Sequence, residues 1–425
     1  MATIFVLIVF ILGYIAIALE HPLKLNKAAS ALATGVLCWT IYILQSDSPH
    51  NVSEELLHHI GEIASILFFL LGAMTIVELI DSHNGFDIIT QKIKTKSKAK
   101  LLLILTALTF LLSSLLDNLT TAIVMISLCT KILNEKEDRL WFGGMIIIAA
   151  NAGGAWSPLG DVTTTMLWIG KQITAMNIIK QLILPSLAAC IIPALFVAWR
   201  FRGKKIEAIP ASVCSDKEKK DGKIILFCGI GFLIFVPVFK MLTHLPPFMG
   251  MLLALGLMGV ITTIVHKNKD QEIAERFTVA RALQKIDTPS ILFFLGILLA
   301  VTALQSFGML KELAIFLNST FKNNYLIGTA LGLLSAIVDN VPLVAATQGM
   351  YDLNTYPTDH YFWEFLALTT GTGGSVVIIG SAAGVAVMGI EQIDFMWYLK
   401  KIGWLALIGF GAGIAVFILQ HQIVG

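Results

Sequence analysis

The chain has 425 residues, of which 56% are hydrophobic and only 14% are charged, and its formal net charge is +2. A soluble domain usually carries about 25% charged residues, so this composition excludes an ordinary soluble protein. The near-neutral charge also gives no reason to expect nucleic-acid binding. Apolar runs of about 20 residues recur along the sequence, long enough to cross a bilayer as helices. We therefore predict an all-α polytopic membrane protein.

The predicted elements fall into continuous spans and interrupted ones. The first apolar run lacks a basic leader and a small-residue cleavage site, so we interpret it as a retained helix and not as a signal peptide. Continuous spans are predicted near residues 3–20, 28–45, 62–80, 178–199, 223–241, 247–266, 289–305 and 397–419. Four further apolar segments, at 101–133, 141–170, 325–350 and 362–388, contain polar or Gly/Pro breaks. At membrane depth, such breaks must line a cavity or be buried in protein.

Two of the interrupted segments contain an adjacent Asp-Asn pair, in LLSSLLDNLTTAIV (111–124) and in LLSAIVDNVPLVAA (333–346). The arms beside Asp117 are about 15–16 residues long, which is short for two full spans. We therefore predict that 101–133 and 325–350 are re-entrant helical hairpins with the Asp-Asn pairs at their tips. An ionisable residue at membrane depth is costly, so it indicates a functional site. The alternative is that these pairs only cap helix ends.

The other two interrupted segments read as broken helices. Segment 141–170 breaks at NAGGAWSPLGD (151–161), and segment 362–388 breaks at TTGTGGS (369–375). The two halves of the chain align at a nearly constant offset, with the Asp-Asn pairs 222 residues apart. The sequence thus predicts two repeats that cover the whole chain.

The repeats are predicted to have inverted topology. We assign residues 1–200 to the first repeat, 201–222 to a cytoplasmic connector and 223–425 to the second repeat. Each repeat would cross the membrane five times, one crossing being a broken helix, and would add one hairpin. Because five is odd, the second repeat enters from the opposite face.

The distribution of basic residues agrees with this topology. One face receives 25 of the 30 Lys and Arg residues, in loops 21–27, 81–100, 131–140, 200–223, 267–288 and 389–401. Loops 46–61 and 351–361, on the other face, contain none. By the positive-inside rule, the basic loops are cytoplasmic and both termini lie outside. The basic runs at 94–100 and 217–223 are interpreted as topology determinants.

Paired hairpins and broken helices predict a transport site at the centre of the membrane, used by alternating access. Desolvation raises the proton affinity of a carboxylate and a bound cation lowers it, so the carboxylates of Asp117 and Asp339 can exchange a proton for a metal ion. A hard cation such as Na⁺ prefers oxygen ligands. The neighbouring candidates are Asn118, Thr120, Thr121, Asn151, Ser157, Asn340, Thr370 and Thr372.

Asp161 is a third acidic candidate, with Thr163 and Thr164 beside it. Its equivalent in the second half is Ser381, so the predicted site is not symmetric. Two roles remain open for Asp161, direct ion binding or capping of the second half-helix. Other polar residues are interpreted as solvated, namely Glu78 at a helix end, His50, His58 and His59 in an outer loop, and His266 at a cytoplasmic helix end.

The motifs DNLTTAIVM, NAGGAWSPLGDVTTT, VDNVPLVAA and GTGGS, in this order, resemble those of the NhaD-type sodium/proton antiporters of the ion transporter superfamily. The resemblance covers essentially the full chain. It implies a homodimeric exchanger of Na⁺, often also Li⁺, for H⁺ in a bacterial inner membrane. It carries over Asp117, Asn118, Thr120, Asp161, Thr163, Asp339 and Asn340 as candidate ion-site residues.

Other functions are less well supported. A sodium-coupled anion carrier for dicarboxylates, or an arsenite carrier, would have similar architecture, but no Arg or Lys is predicted at midplane depth to receive an anion. A channel would show one continuous filter motif, which is absent from the sequence. A membrane enzyme is a further alternative. No HExxH or GxSxG motif supports it, although carboxylates within the membrane could serve an aspartyl protease. No metal-binding or disulfide spacing of cysteines occurs, so no cofactor is expected.

Overall fold

The computed structural model describes residues 2–18, 25–46, 48–86, 95–206, 216–267, 269 and 275–424. Within these ranges the chain is helical, and its only β-type pairing is an isolated bridge between Ser97 and Lys205. Seven of the described helices are long and apolar enough to cross a membrane. The prediction of an all-α polytopic membrane protein is therefore confirmed. Parts of four predicted basic loops, at 21–24, 87–94, 207–215 and 268–274 except 269, lie outside the described residues.

Eight helices make up the first half of the described chain. They are α1 (Ala2–Ala18), α2 (Lys27–Leu44), α3 (Pro49–Ser82), α4 (Lys98–Ser113), α5 (Asn118–Ile132), α6 (Lys136–Ala155), α7 (Val162–Ile169) and α8 (Ala175–Arg200). Helices α4 and α5 meet at the first Asp-Asn pair, while α6 and α7 are the two halves of segment 141–170. Polar side chains start several of these helices; for example, the Thr174 hydroxyl accepts the N–H of Asn177 at the start of α8.

Eleven helices make up the second half of the described chain. They are α9 (Asp216–Thr243), α10 (Pro247–His266), α11 (Val279–Leu283), α12 (Thr288–Ser306), α13 (Met309–Phe321), α14 (Asn324–Leu334), α15 (Asn340–Met350), α16 (Tyr361–Gly373), α17 (Ala382–Glu391), α18 (Phe395–Tyr398) and α19 (Trp404–Val424). A short 3₁₀ turn (Ile378–Gly380) precedes α17, and a π-helical turn (Leu399–Gly403) joins α18 to α19. Helices α14 and α15 meet at the second Asp-Asn pair.

Helix α3 is longer than the sequence predicted. It begins at Pro49 and runs through most of the segment 46–61, which was predicted to be a loop. Proline is favourable in the first turn of a helix, where its missing N–H needs no partner. His59 is buried, and its Nδ1 lies 3.3 Å from Oε2 of Glu62. The interpretation of His59 as a solvated loop residue was therefore wrong.

His266, at the end of α10, is also buried, which corrects its assignment as solvated. Its ring centre lies 5.0 Å from that of His83, which directly follows α3. The Nδ1 of His83 lies 2.6 Å from the carbonyl oxygen of Leu79. Burial lowers the pKa of His83 to about 4. His83 is thus neutral across the physiological pH range. Glu78, one turn earlier, pairs with Lys285 at 3.0 Å.

The long helices of the two halves pack against each other. Helix α2 lies along α12, where the indole Nε1 of Trp39 donates a hydrogen bond of 2.9 Å to the carbonyl oxygen of Leu299. Helix α10 lies along α3 in a similar way, and α8 lies along α19. These contacts hold the four interrupted segments between long helices.

Each broken helix crosses the nearby hairpin very closely. A Cβ atom added to Gly153 of α6 would overlap the carbonyl oxygen of Phe110 in α4, and one added to Gly373 of α16 would overlap that of Gly332 in α14. The absence of a side chain lets these backbones touch, as is common at helix crossings in membranes. Both crossings therefore require glycine.

Candidate ion site

Four helices start at the breaks, and each carries a polar residue at its N-terminus. The side chains of these residues accept backbone N–H groups of their own helices: Asp117 from Thr120 at 2.7 Å, Asp161 from Thr163 at 3.0 Å, Asp339 from Val341 at 3.1 Å and Ser381 from Gly384 at 3.2 Å. Helix N-termini stabilise negative charge. The capping role considered for the Asp-Asn pairs is therefore present in the structure.

The carboxylate of Asp161 lies at the centre of a buried polar network. Its Oδ2 accepts a hydrogen bond of 2.7 Å from Nδ2 of Asn118, at the first hairpin tip. Nδ2 of Asn340, at the second tip, lies 3.3 Å from the same oxygen. The Thr163 hydroxyl donates to Oδ1 at 3.0 Å. Asp161, Asn118 and Asn340 are at most 5% exposed, so one carboxylate joins both hairpins in a site shielded from water.

Asn151 extends this network to the second broken helix. Its Oδ1 accepts a hydrogen bond of 3.1 Å from Asn118. Its Nδ2 donates to the hydroxyls of Ser375 and Ser381, each at 2.9 Å. Side chains from both hairpins and both broken helices thus form one hydrogen-bonded network, which we call the central network: Asn118, Asn151, Asp161, Thr163, Asn340, Ser375 and Ser381.

The two hairpin aspartates lie outside the central network. Asp117 accepts a hydrogen bond of 2.6 Å from the Thr120 hydroxyl in addition to its cap contact. Asp339 lines a cavity of about 70 Å³ together with Tyr14, Lys27 and Ser381. Ser381 therefore belongs both to this cavity and to the central network. The cavity links the Asp339 carboxylate to the buried site through one hydroxyl.

Lys27 was not among the predicted site residues. It is the first residue of α2, and its ammonium group lies 5.1 Å from the ring centre of Phe293, at the wall of the cavity that Asp339 also lines. A cation over an aromatic face is stabilised by the ring quadrupole. The sequence places Lys27 in a predicted cytoplasmic loop, and only the packing of α2 shows that it lies beside a site carboxylate.

Four of the five remaining predicted residues form hydrogen bonds with backbone groups. The Thr164 hydroxyl donates to the carbonyl of Asp161 at 2.9 Å, and Ser157 accepts the N–H of Leu159 at 3.3 Å. The hydroxyls of Thr370 and Thr372 donate to carbonyls one turn earlier in α16. The Thr121 hydroxyl is buried without a hydrogen-bond partner among the described residues. None of these five side chains has a hydrogen bond to a side chain of the central network in the described part of the chain.

Two serines of the central network were not predicted as site residues. Ser375 follows the Gly-Gly pair of the second break, and Ser381 is the counterpart of Asp161. Their position in the sequence could have identified them, because small polar residues at a helix break within an apolar segment need a hydrogen-bond partner.

Comparison with known proteins identifies the family of the chain. A family model described as a citrate transporter matches residues 5–373. The chain is 45% identical over 417 residues to a protein named sodium/proton antiporter 1 of Arabidopsis thaliana, covering 98% of this chain and 72% of that protein.

Two further relatives have related names. Sodium/proton antiporter 2 of Arabidopsis thaliana is 42% identical over 98% of this chain and 99% of its own length. The Na⁺/H⁺ antiporter NhaD of Vibrio cholerae is 29% identical over 98% of this chain and 91% of its own length. The resemblance to NhaD-type antiporters is confirmed, and the relatives are transporters and not enzymes. The chain belongs to the citrate transporter family and is a membrane transport protein that groups with relatives named sodium/proton antiporters.

Proposed function

We propose that this protein exchanges Na⁺, and also Li⁺, for H⁺ across a membrane, with the Asp161 carboxylate at the point where the two ions compete. One observation carries the proposal: a single buried carboxylate is contacted by an asparagine from each of the two hairpin tips. The names of the relatives support the same ions. An isolated ionised carboxylate is strongly disfavoured in an apolar interior, so Asp161 must be neutralised or well hydrogen-bonded.

The surroundings of Asp161 suit both bound states. The donors from Asn118, Asn340 and Thr163 stabilise the ionised form in the absence of a metal ion. An asparagine amide carries both an NH₂ donor and a carbonyl acceptor. If the amide group rotates by 180°, its oxygen takes the place of its NH₂ group beside the carboxylate and can serve as a ligand for Na⁺. Binding of H⁺ removes the charge that attracts Na⁺, so occupancy by the two ions is mutually exclusive.

The hairpin aspartates complete the proposed ion path. Asp339 lines the cavity that reaches Ser381, so it is placed to receive a cation before the cation enters the central network. Asp117 holds the equivalent position on the first hairpin, where it caps α5. We propose that each carboxylate attracts the cation from one side of the membrane, while Asp161 binds it between them.

Matched contacts support an inverted repeat with boundaries 1–200 and 223–425. Ser113 of the first hairpin donates to the Ala150 carbonyl at 2.6 Å, and Ser335 of the second donates to the Thr370 carbonyl at 2.8 Å. By the sequence alignment, α10 is equivalent to α2, and α12 to α3. The contact of α2 with α12 therefore corresponds to the contact of α10 with α3, with the two repeats interchanged. We infer that rigid-body motion of the two repeats gives alternating access to a fixed central site.

Location and assembly are further parts of the proposal. The basic loops support cytoplasmic connectors and termini on the outer face. A bacterial inner membrane rests on the NhaD relatives, while the two plant relatives show that the family also occurs outside bacteria. The homodimer rests on the family resemblance.

A second candidate is a carrier for an organic anion such as citrate, driven by sodium. Its support is the family description and the presence of Lys27 in the cavity with Asp339. The central network itself contains no Lys or Arg, and Asp161 would repel a carboxylate substrate. The cation exchanger therefore fits the buried site better.

Everted vesicles with an acidified interior test the proposal. Addition of Na⁺ or Li⁺ should dissipate the pH gradient, while K⁺ and citrate should not. A response to citrate with Na⁺, but not to Na⁺ alone, would establish the anion carrier instead. No response to any of these ions would overturn the proposed exchange.

A further inference from the structure

A second acidic cavity lies at the far end of the second broken helix. Its volume is about 300 Å³, and it is lined by side chains of α8, α16 and α19 and of the loop before α16. Glu364, in the first turn of α16, is one of these lining residues. It is 11 residues from Ser375 of the central network. Because α16 occupies most of this interval, the two lie about 16 Å apart along the helix direction.

The Glu364 carboxylate is buried and only partly satisfied. Its exposed fraction is 0%. Oε1 accepts a hydrogen bond of 2.6 Å from Nδ2 of Asn177 in α8. Oε2 is buried and has no hydrogen-bond partner among the described residues. A buried carboxylate oxygen without a partner costs free energy whether the group is ionised or protonated. This oxygen therefore keeps an acceptor position for a group that enters the cavity.

The neighbouring polar groups of the cavity are already engaged. Asp359 accepts two hydrogen bonds from Thr174, at 2.6 Å and 2.8 Å. His360 caps α16 by accepting the N–H of Phe362, and Nδ1 of His421 lies 2.7 Å from the hydroxyl of Tyr325. No Lys or Arg lines the cavity. The only described residues in its wall that could carry a positive charge near Glu364 are the histidines, when protonated.

We propose that Glu364 is a second cation site, which binds a hydrated monovalent cation on its way between the outer solution and the central network. The cavity is large enough for several water molecules, so the cation can enter it hydrated. The Glu364 carboxylate is buried in the cavity wall, so it must turn toward the cavity to contact the cation. In the described part of the chain, no group of three His, Cys, Asp or Glu side chains is arranged to hold a metal ion. The N-terminus of α16 favours the ionised carboxylate.

This inference rests on the proposed cation exchange and assigns it an outer-face residue. The test compares Na⁺ half-saturation from the two sides of the membrane, in right-side-out and in everted vesicles. Glu364→Gln keeps an oxygen for the Asn177 hydrogen bond but removes the charge. We expect the outer Na⁺ concentration that gives half-maximal transport to rise about tenfold, as for loss of one charge-assisted contact. The corresponding inner Na⁺ concentration should not change. Asp352→Asn, which removes an exposed carboxylate of the same predicted face, should change neither value.

Each other outcome overturns the proposal. An unchanged outer value removes the site, and an equal rise on both sides makes Glu364 a general structural residue. If Glu364→Gln does not reach the membrane, Glu364→Asp replaces it. Its shorter side chain should raise only the outer value, by about threefold, and an unchanged value contradicts the inference. Wild-type protein without Na⁺-dependent exchange would overturn the proposed function as well, whereas an active wild type with a normal Glu364→Gln variant overturns this inference alone.

Discussion

The two hairpin asparagines should contribute unequally, although the repeat makes them equivalent in sequence. Asn118 donates to Oδ2 of Asp161 at 2.7 Å, while Asn340 lies 3.3 Å from the same oxygen. A hydrogen bond to a charged group contributes about 1.5–3 kcal/mol at good geometry, and the longer contact is beyond the usual range of 2.7–3.2 Å. Removing Asn118 should therefore disfavour ionised Asp161 more strongly.

The predicted effect is on competition between Na⁺ and H⁺. Na⁺ binds only the ionised carboxylate, so a loss of 1.5–3 kcal/mol raises Na⁺ half-saturation in Asn118→Ala by about 10- to 100-fold at constant pH. Asn340→Ala should raise it by less than about fivefold. The assay is recovery of the pH gradient in everted vesicles over a range of Na⁺ concentrations. Asn318→Ala, which removes an exposed asparagine outside the site, is the matched control.

Thermal unfolding in detergent shows whether the variants remain folded. The reasoning is refuted if Asn340→Ala impairs Na⁺ half-saturation as much as Asn118→Ala, or more. That result would mean that the symmetry of the sequence, and not the distances in the structure, describes the site.

Three further predictions concern the surroundings of the site. Lys27→Gln removes a positive charge beside the site carboxylate in its cavity, so Na⁺ half-saturation should fall by about two- to fivefold in everted vesicles; an increase would contradict the cavity as an ion path. Gly373→Ala should prevent accumulation of folded protein, because its methyl group overlaps the Gly332 carbonyl, whereas Gly389→Ala, with open space around it, should be tolerated on size-exclusion chromatography. His83 has a pKa of about 4, below its ordinary value of 6.5, so the unfolded chain binds the proton first and stability falls as pH drops through this window. The loss at pH 5 relative to pH 8 is about 2 kcal/mol, and His83→Gln should reduce the pH dependence of thermal unfolding; an unchanged dependence would place its origin elsewhere.

Local chemistry made the helix breaks predictable. The Asp-Asn pairs stop the helices where predicted, since α4 ends at Ser113 and α5 starts at Asn118. The breaks of the other two segments were placed too early. Helix α6 continues through Gly153 and Gly154 to Ala155, and α16 continues to Gly373, so the breaks lie at 156–161 and 374–381 and not at 151–161 and 369–375. Helix α13 was not predicted, because its 13 residues are too short to span a membrane and no span was expected there.

The composition of the site was less predictable, because it depends on tertiary packing. Neighbouring residues at a helix start point in different directions, so the sequence could not show that Asn118 and Asn340, and not Asp117 and Asp339, contact Asp161. The third carboxylate, for which capping and ion binding remained open, both caps α7 and lies at the centre of the network. Its role in ion binding remains a prediction.

The central claim is that Na⁺ and H⁺ compete for the carboxylate of Asp161. Proton release from purified protein tests it most directly, by adding NaCl to weakly buffered detergent solution and following pH. The account predicts that Na⁺ releases protons from the wild-type protein, that K⁺ does not, and that Asp161→Asn releases none while it remains folded. Equal proton release from Asp161→Asn and from the wild type would contradict the account.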